Sequence, residues 1–204
     1  TTLTGNNVSF RALSITAGKL RLQPVLYVQY NTNVAEYDLT STASTLFGTR
    51  GDITFSSEYN HGSHDWEHAF NDTLDGPALF ASGSYNGSGP IGAPDVVISG
   101  VTYNGHWVQL DVGQNVLVKT FEYTPRADYT NGSWEKLLIA GSKDGTTWDL
   151  LWRETGRAAN TGGAVKETYA VNATDVYSQF RWLCEKAVGN QGYAFNALEI
   201  KLLG

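Results

Sequence analysis

The chain has 204 residues, 41% of them hydrophobic and 17% charged, with 22 glycines and a net charge of −6. This is a globular composition, and the length suffices to bury about two-thirds of the unfolded surface without disulfide or metal staples. The acidic balance, with no basic cluster, excludes nucleic acid and anionic membranes as electrostatic partners. No apolar run reaches transmembrane length, so membrane insertion is not expected, and no signal peptide is visible. The single cysteine, Cys184, excludes an intramolecular disulfide and reads as a buried, inert thiol. No methionine occurs, even at position 1, which reads as a processed form or an excised domain. Asn-x-Ser/Thr triplets at Asn7, Asn71, Asn86, Asn131 and Asn172 exceed the two or three expected by chance and hint at an extracellular location.

In chain order, VSFRALSI (8–15) alternates as a strand does, Thr16–Lys19 turns, and LRLQPVLYVQY returns, with Pro24 marking an edge or bulge. Residues 31–50 are polar, with a short strand expected at Ser44–Phe47, and Arg50-Gly51-Asp52 reads as an incidental turn before the strand ITF. Between 52 and 106 regular pattern is sparse: a short helix or turn is expected at Asp65–Phe70 and loop at 83–94. From Trp107 the β rhythm is clear, first in WVQLDVG, then, after Gly113-Gln114-Asn115, in VLVKTFEYTPR. Leu137–Ala140 and Trp148–Trp152 are two strands joined by a tight turn at Ser142-Lys143-Asp144-Gly145. ETYAV, FRWLCEKAV and FNALEIKLL follow. Short strands at close spacing, with no long helical period, predict an all-β sandwich. Trp107, Trp148 and Trp182 sit on strands in core-type patterns.

Six landmarks in order resemble the discoidin-like (factor V/VIII C-type) domains and the related galactose-binding-like carbohydrate-binding modules. They are SSEYNHGSHDWEHAFND (56–72), Trp107–Gly113, TFEYTPRADY, the Asp144-Gly145-x-x-Trp148 hairpin, Phe180-Arg181-Trp182, and Leu198–Gly204. The resemblance covers residues 52–204 and implies a jelly-roll β-sandwich there. Residues 1–51 are expected to be a β extension, either added to the sandwich or used in assembly. The family's paired cysteines are missing, as in its carbohydrate-binding and its viral or phage-fibre branches, and the loop between Asn71 and Trp107 is longer than usual.

What the resemblance implies is binding without catalysis. In this family the ligand surface is the set of loops at one end of the sandwich. A sugar there needs an aromatic face and fixed hydrogen-bonding groups. The matching positions are Tyr59, His61, His64 and Trp66 in the first loop, Arg126, Asp128 and Tyr129 in the second, and Asn190, Gln191 and Tyr193 near the end. Trp66 reads more readily as a core residue than as a platform. A structural calcium beside the first loop, as many such domains hold, would draw on Asn71, Asp72, Thr73, Asp75 and Glu199. Asn71 stands where the family often has Asp, which removes one charge; the bland alternative is that these carboxylates only cap turns.

Other chemistries fare worse. His61, His64 and His68 with Asp65 would suit zinc only on a helix, and the surrounding glycine and serine favour a loop. No nucleophile-elbow motif places a serine for hydrolysis. The expected function is therefore recognition of a glycan or glycoconjugate on a cell surface or a virion or fibre. The rival is a structural or assembly domain using the same sandwich for contacts with other protein subunits. Homo-oligomerisation is compatible with either.

Overall fold

The computed structural model describes residues 13–16, 19–22, 52–59, 64–71, 74, 76–81, 83–86, 88–127, 133–158, 163–171, 173–188 and 195–204. The chain divides into two compact units, Thr1–Glu36 and Tyr37–Gly204. In the first, β1 (Leu13–Thr16) and β2 (Lys19–Leu22) form an antiparallel hairpin with Thr16 opposite Lys19, the register expected from the alternation. The strand expected at Ser44–Phe47 lies outside the described residues.

The second unit is a sandwich of two antiparallel sheets. Its strands are β3 (Asp52–Phe55), β4 (Tyr85–Asn86), β5 (Gly89–Pro90), β6 (Asp95–Ile98), β7 (Val101–Asn104), β8 (His106–Val116), β9 (Thr120–Pro125), β10 (Trp134–Ser142), β11 (Trp148–Thr155), β12 (Glu167–Ala170), β13 (Tyr177–Ala187) and β14 (Ala197–Leu203). The larger sheet runs β11-β10-β13-β8-β3 and the smaller β12-β9-β14. Alternation decides which side chains meet between them. Val108, Leu110 and Val112 of β8 and Phe180, Trp182 and Cys184 of β13 face Phe121 and Tyr123 of β9 and Ile200 and Leu202 of β14 in one buried cluster. Trp182 and Phe180 are fully buried, and each contributes about 2–3 kcal/mol from removed apolar surface.

Strand β8 is longer than its sequence suggests. Gly113-Gln114-Asn115, which separates the two β segments in the sequence, continues the first strand to Val116, and the chain reverses only at 117–119. The hairpin at 134–152 is as expected: Ser142 Oγ accepts from the backbone N–H of Asp144 and Gly145, and Asp144 Oδ1 from those of Thr146 and Thr147. Gly145 supplies the positive φ of 75° that the bend requires. Those backbone donors hold the Asp144 carboxyl well below the usual carboxylate range.

The long segment before β8, read as loop, contains structure that its sequence hides. Strands β6 and β7 pair through a two-residue turn at Ser99 (φ 50°) and Gly100 (φ 77°), the left-handed pair of a type I′ hairpin. This hairpin lies on the outer face of the large sheet, where Val96 and Ile98 pack with Leu138, Ala140, Trp148 and Leu183. Its tip is pinned to β11: Ser99 N–H donates to the Trp148 carbonyl (2.8 Å) and Ser99 Oγ accepts from Leu150 N–H (2.9 Å). Trp182 thus sits in the inter-sheet core, Trp148 in this second cluster, and Trp107 half-buried against it.

A second device ties the same segment to the root of the sheet. The Tyr85 hydroxyl donates to the Cys184 carbonyl (2.7 Å) and accepts from His106 N–H (3.2 Å), bridging the facing ends of β13 and β8. His106 Nε2 meets the Ile91 carbonyl at 3.1 Å; a carbonyl only accepts, so Nε2 carries the proton and Nδ1 accepts. Ser56 and Ser57 hydroxyls both lie 3.2 Å from Nδ1. Burial lowers the His106 pKa and pushes Tyr85 well above its usual value; burial likewise raises Cys184 to about 12.

Two outcomes follow from this packing. A Cβ on Gly105 would lie 2.3 Å from the Cys184 carbonyl oxygen, so Gly105→Ala should cost about 1–3 kcal/mol, read as a lower urea midpoint. The folded pKa of His106 lies below its unfolded value, so its contribution to stability is complete above about pH 6.5 and is lost as pH falls through the folded pKa. The urea midpoint should therefore drop on acidification from neutral pH, and His106→Gln should flatten that slope.

Candidate functional site

Register places four connections at one end of the sandwich. Phe55 of β3 pairs with Val108 near the start of β8, Pro125 with Ala197, Thr155 with Lys136, and Ala187 with Trp134. The segments 56–84, 126–133, 156–166 and 188–196 all leave from this end. Backbone bonds knit them: Val188 N–H donates to the Ser133 carbonyl (2.8 Å), Gly163 N–H to that of Ala127 (3.4 Å), and Gly156 and Arg157 N–H to that of Glu135 (2.9 and 3.1 Å). Ala78 and Ala197 exchange a pair of bonds at 2.7 and 3.0 Å, which seats the first segment on the start of β14.

Within the first segment Tyr59 and His64 meet edge to face at 5.4 Å, both half-buried. Their loop is shaped from below. Glu58 Oε1 accepts from Trp66 N–H (3.0 Å), and the Trp66 indole N–H donates to the Ser57 carbonyl (3.1 Å). Trp66 itself corrects an expectation. It is fully buried, 4.8 Å from the Phe80 ring and 5.8 Å from that of Phe195, so it supports the loop and offers no face to a ligand. Its place in the short 3-10 helix Trp66–Phe70 turns Trp66, Ala69 and Phe70 together into the core.

Arg126 stands half-buried just past β9, at the same end as Tyr59 and His64. His61, Asp128, Tyr129, Asn190, Gln191 and Tyr193 lie outside the described residues. For calcium, Glu199 is a buried carboxylate on β14, 5% exposed, and Asn71 ends the 3-10 helix that packs against that strand. Burying a carboxylate demands a compensating charge or donors, and its oxygens are of the hard type calcium takes. Asp72, Thr73 and Asp75 lie outside the described residues. The helical His64/His68 pair that zinc would need does not form, because the helix begins only at Trp66. His106 beside Ser57 is backed by a carbonyl, not a carboxylate, and is 6% exposed; it anchors the root of the first loop.

Sequence reasoning passed over the third connection, 156–166. Arg157 lies over the rings of Trp134 (4.7 Å) and Tyr123 (5.6 Å) and ion-pairs with Glu167, whose carboxylate also takes the Tyr169 hydroxyl. Burial opposes the charge on Arg157, but the Glu167 bonds outweigh it and its pKa rises. Tyr169 is pushed up to about 12 by burial and by the same carboxylate. Tyr123 in turn donates to the Asn196 carbonyl (2.7 Å) and stacks on Phe195, which holds a φ of 59°. The one available signal was the Gly156-Arg157 step at the end of a strand.

No known family model matches the sequence, and no curated protein matches it. Solved structures do. The CpGH89CBM32-5 module of Clostridium perfringens, in complex with GalNAc-β-1,3-galactose, is 17% identical with a TM-score of 0.55, over 76% of this chain and 95% of that one. Chitosan-binding module 2 of a Paenibacillus sp. IK-5 chitosanase/glucanase, in complex with chitotriose, is 15% identical with a TM-score of 0.56, over 81% and 99%. The F5/8 type C domain of a Bacteroides fragilis protein is 17% identical with a TM-score of 0.54, over 75% and 90%. The sandwich thus shares the β-fold of these galactose-binding-like, discoidin-type domains.

Proposed function

We propose that the chain is a non-catalytic module that binds a glycan through the connections gathered at one end of its sandwich. The observation that carries this reading is the convergence of four segments on a rigid aromatic base, with Tyr59, His64 and Arg126 at that end. An aromatic pair and a guanidinium answer the two faces of a sugar: apolar C–H groups and vicinal hydroxyls. Asp128, Tyr129, His61, Asn190, Gln191 and Tyr193 belong to the same segments in sequence and complete the proposed set. Solved structures of this fold carry galactose-containing and chito-oligosaccharide ligands, which supports the class of ligand. We place the module on a cell or particle surface, virions included, where weak single-site affinity is raised by multivalent display. Calcium held by Glu199, Asn71 and the Asp72–Asp75 segment would brace the first loop from behind.

A glycan array probed with the multivalently displayed chain should give signal for one sugar class, reduced about ten-fold or more by Arg126→Ala or Tyr193→Ala. A silent array with folded protein would replace this reading with the assembly role. Removing calcium with a chelator should lower the melting temperature of the wild type and leave that of Glu199→Gln unchanged. Identical melting with and without chelator would discard the metal.

A further inference from the structure

The outer face of the large sheet carries a cation with no counter-charge among the described residues. Arg181 on β13 lies over two indoles, 4.3 Å from the Trp107 ring centroid and 4.0 Å from that of Trp148. The guanidinium thus lies against two aromatic rings while its N–H groups remain free to hydrogen-bond in its own plane. Nε and Nη2 donate to Gln109 Oε1, at 3.2 and 2.6 Å. Gln109 Nε2 donates to Gln179 Oε1 (3.3 Å), and Gln179 Nε2 to Asp111 Oδ2 (3.1 Å). The chain of amides thus orients Gln109 with its oxygen on Arg181, and the nearest carboxylate in it is two side chains away. Among the described residues no carboxylate forms an ion pair with Arg181, and Nη1 has no acceptor. Burial lowers its pKa to about 10, so the group is still a full cation at neutral pH.

The surroundings are laid out in a row. Thr54 of the edge strand β3 pairs with Gln109, and Gln109 with Arg181, so an exposed hydroxyl, an amide and a guanidinium lie side by side across three strands. Two strand spacings span about 10 Å, the scale of two sugar rings. The row opens to solvent at the β3 edge. On the β10 side of Arg181 the β6–β7 hairpin packs on the sheet with Ala140 and Trp148.

We propose that this row is a second binding surface, separate from the end loops, and that it takes the oxyanion of an acidic glycan on Arg181. The oxyanion is a carboxylate or a sulfate ester, and the neighbouring sugar hydroxyls reach Gln109 and Thr54. A guanidinium already partly dehydrated by two indoles loses less water on pairing than an exposed one, and the N–H groups not taken by Gln109 fit either group.

The test uses the whole chain and three probes: hexagalacturonate, inorganic sulfate, and neutral chitohexaose. Hexagalacturonate should change the fluorescence of the flanking tryptophans saturably, and sulfate should displace it where chloride at equal ionic strength does not. Arg181→Gln should weaken this binding about ten-fold or more. Gln109→Glu decides independently, since it sets a carboxylate of nearly the same shape on Arg181, neutralises the cation from within and should abolish binding in a folded protein. Arg126→Ala, which tests the end loops, should leave hexagalacturonate binding as it is. Chitohexaose has no oxyanion and should not displace hexagalacturonate, even where it binds the end loops. Absence of hexagalacturonate binding, its displacement by chitohexaose, or equal binding by wild type and Gln109→Glu overturns the proposal.

Discussion

Strand β10 is buried on both faces, and the rest of the sandwich is arranged around that constraint. Its inward residues Leu137 and Ile139 meet the small sheet, while its outward residues Leu138 and Ala140 would face water on a bare two-layer sandwich. Such an apolar stripe on an open sheet invites association. The long segment ahead of β8 resolves this by folding the β6–β7 hairpin over it and fixing the hairpin tip to β11. Ser99 accepts a left-handed backbone to make that turn, and its hydroxyl and N–H both bond to β11. The extra length before Trp107 is therefore a third partial layer.

The base beneath the end loops is built of packed aromatic rings. Aromatic rings run without a break from the core to the loop roots: Trp66 meets Phe80 and Phe195, Phe195 stacks on Tyr123, and Tyr123 meets Trp134. The polar tips of these rings bond backbone, as Trp66 does to Ser57 and Tyr123 to Asn196. A surface that binds through few side chains benefits from such a base, because less ordering entropy is spent on binding.

How much of this was legible varied with the kind of signal. The β rhythm from Trp107 onward marked β8, β9, β11, β13 and β14, while β10, buried on both faces, was marked by the continuous apolar run Leu137–Ala140. It gave no warning of β6–β7, whose DVVI–VTYN pairing is short and turns on Ser-Gly, a weaker signal than Asp-Gly. Gly113 suggested a break in β8 because glycine punctuates most chains, yet Asp111 Oδ1 accepts its N–H and the strand continues to Val116. Trp66 was ambiguous in sequence because an aromatic beside polar residues suits a platform or a buried anchor alike. The 3-10 turn decided for the anchor. Arg157 escaped notice because a lone arginine at a strand end carries no pattern, and Arg181 was read only as part of the Phe180-Arg181-Trp182 fold landmark.

Those two arginines have similar aromatic surroundings and opposite electrostatics. Each is half-buried beside two aromatic rings, Trp134 and Tyr123 for Arg157, Trp107 and Trp148 for Arg181. Burial penalises both charges. At Arg157 the Glu167 carboxylate more than repays the penalty and the pKa rises; at Arg181 the hydrogen-bond partner among the described residues is an amide oxygen, and the pKa falls to about 10. Stacking alone therefore does not settle a guanidinium in this protein; a carboxylate does. The smaller sheet supplies one on β12, and Arg157 closes the end of the sandwich as a finished structural plug. The larger sheet supplies Gln109 at the corresponding place, held by Gln179 so that it cannot turn its amide donors toward the cation. A sheet face that fixes a charge this firmly and leaves its remaining edge without an acceptor among the described residues has the asymmetry of a receptor, and the missing half of the pair is an oxyanion from outside.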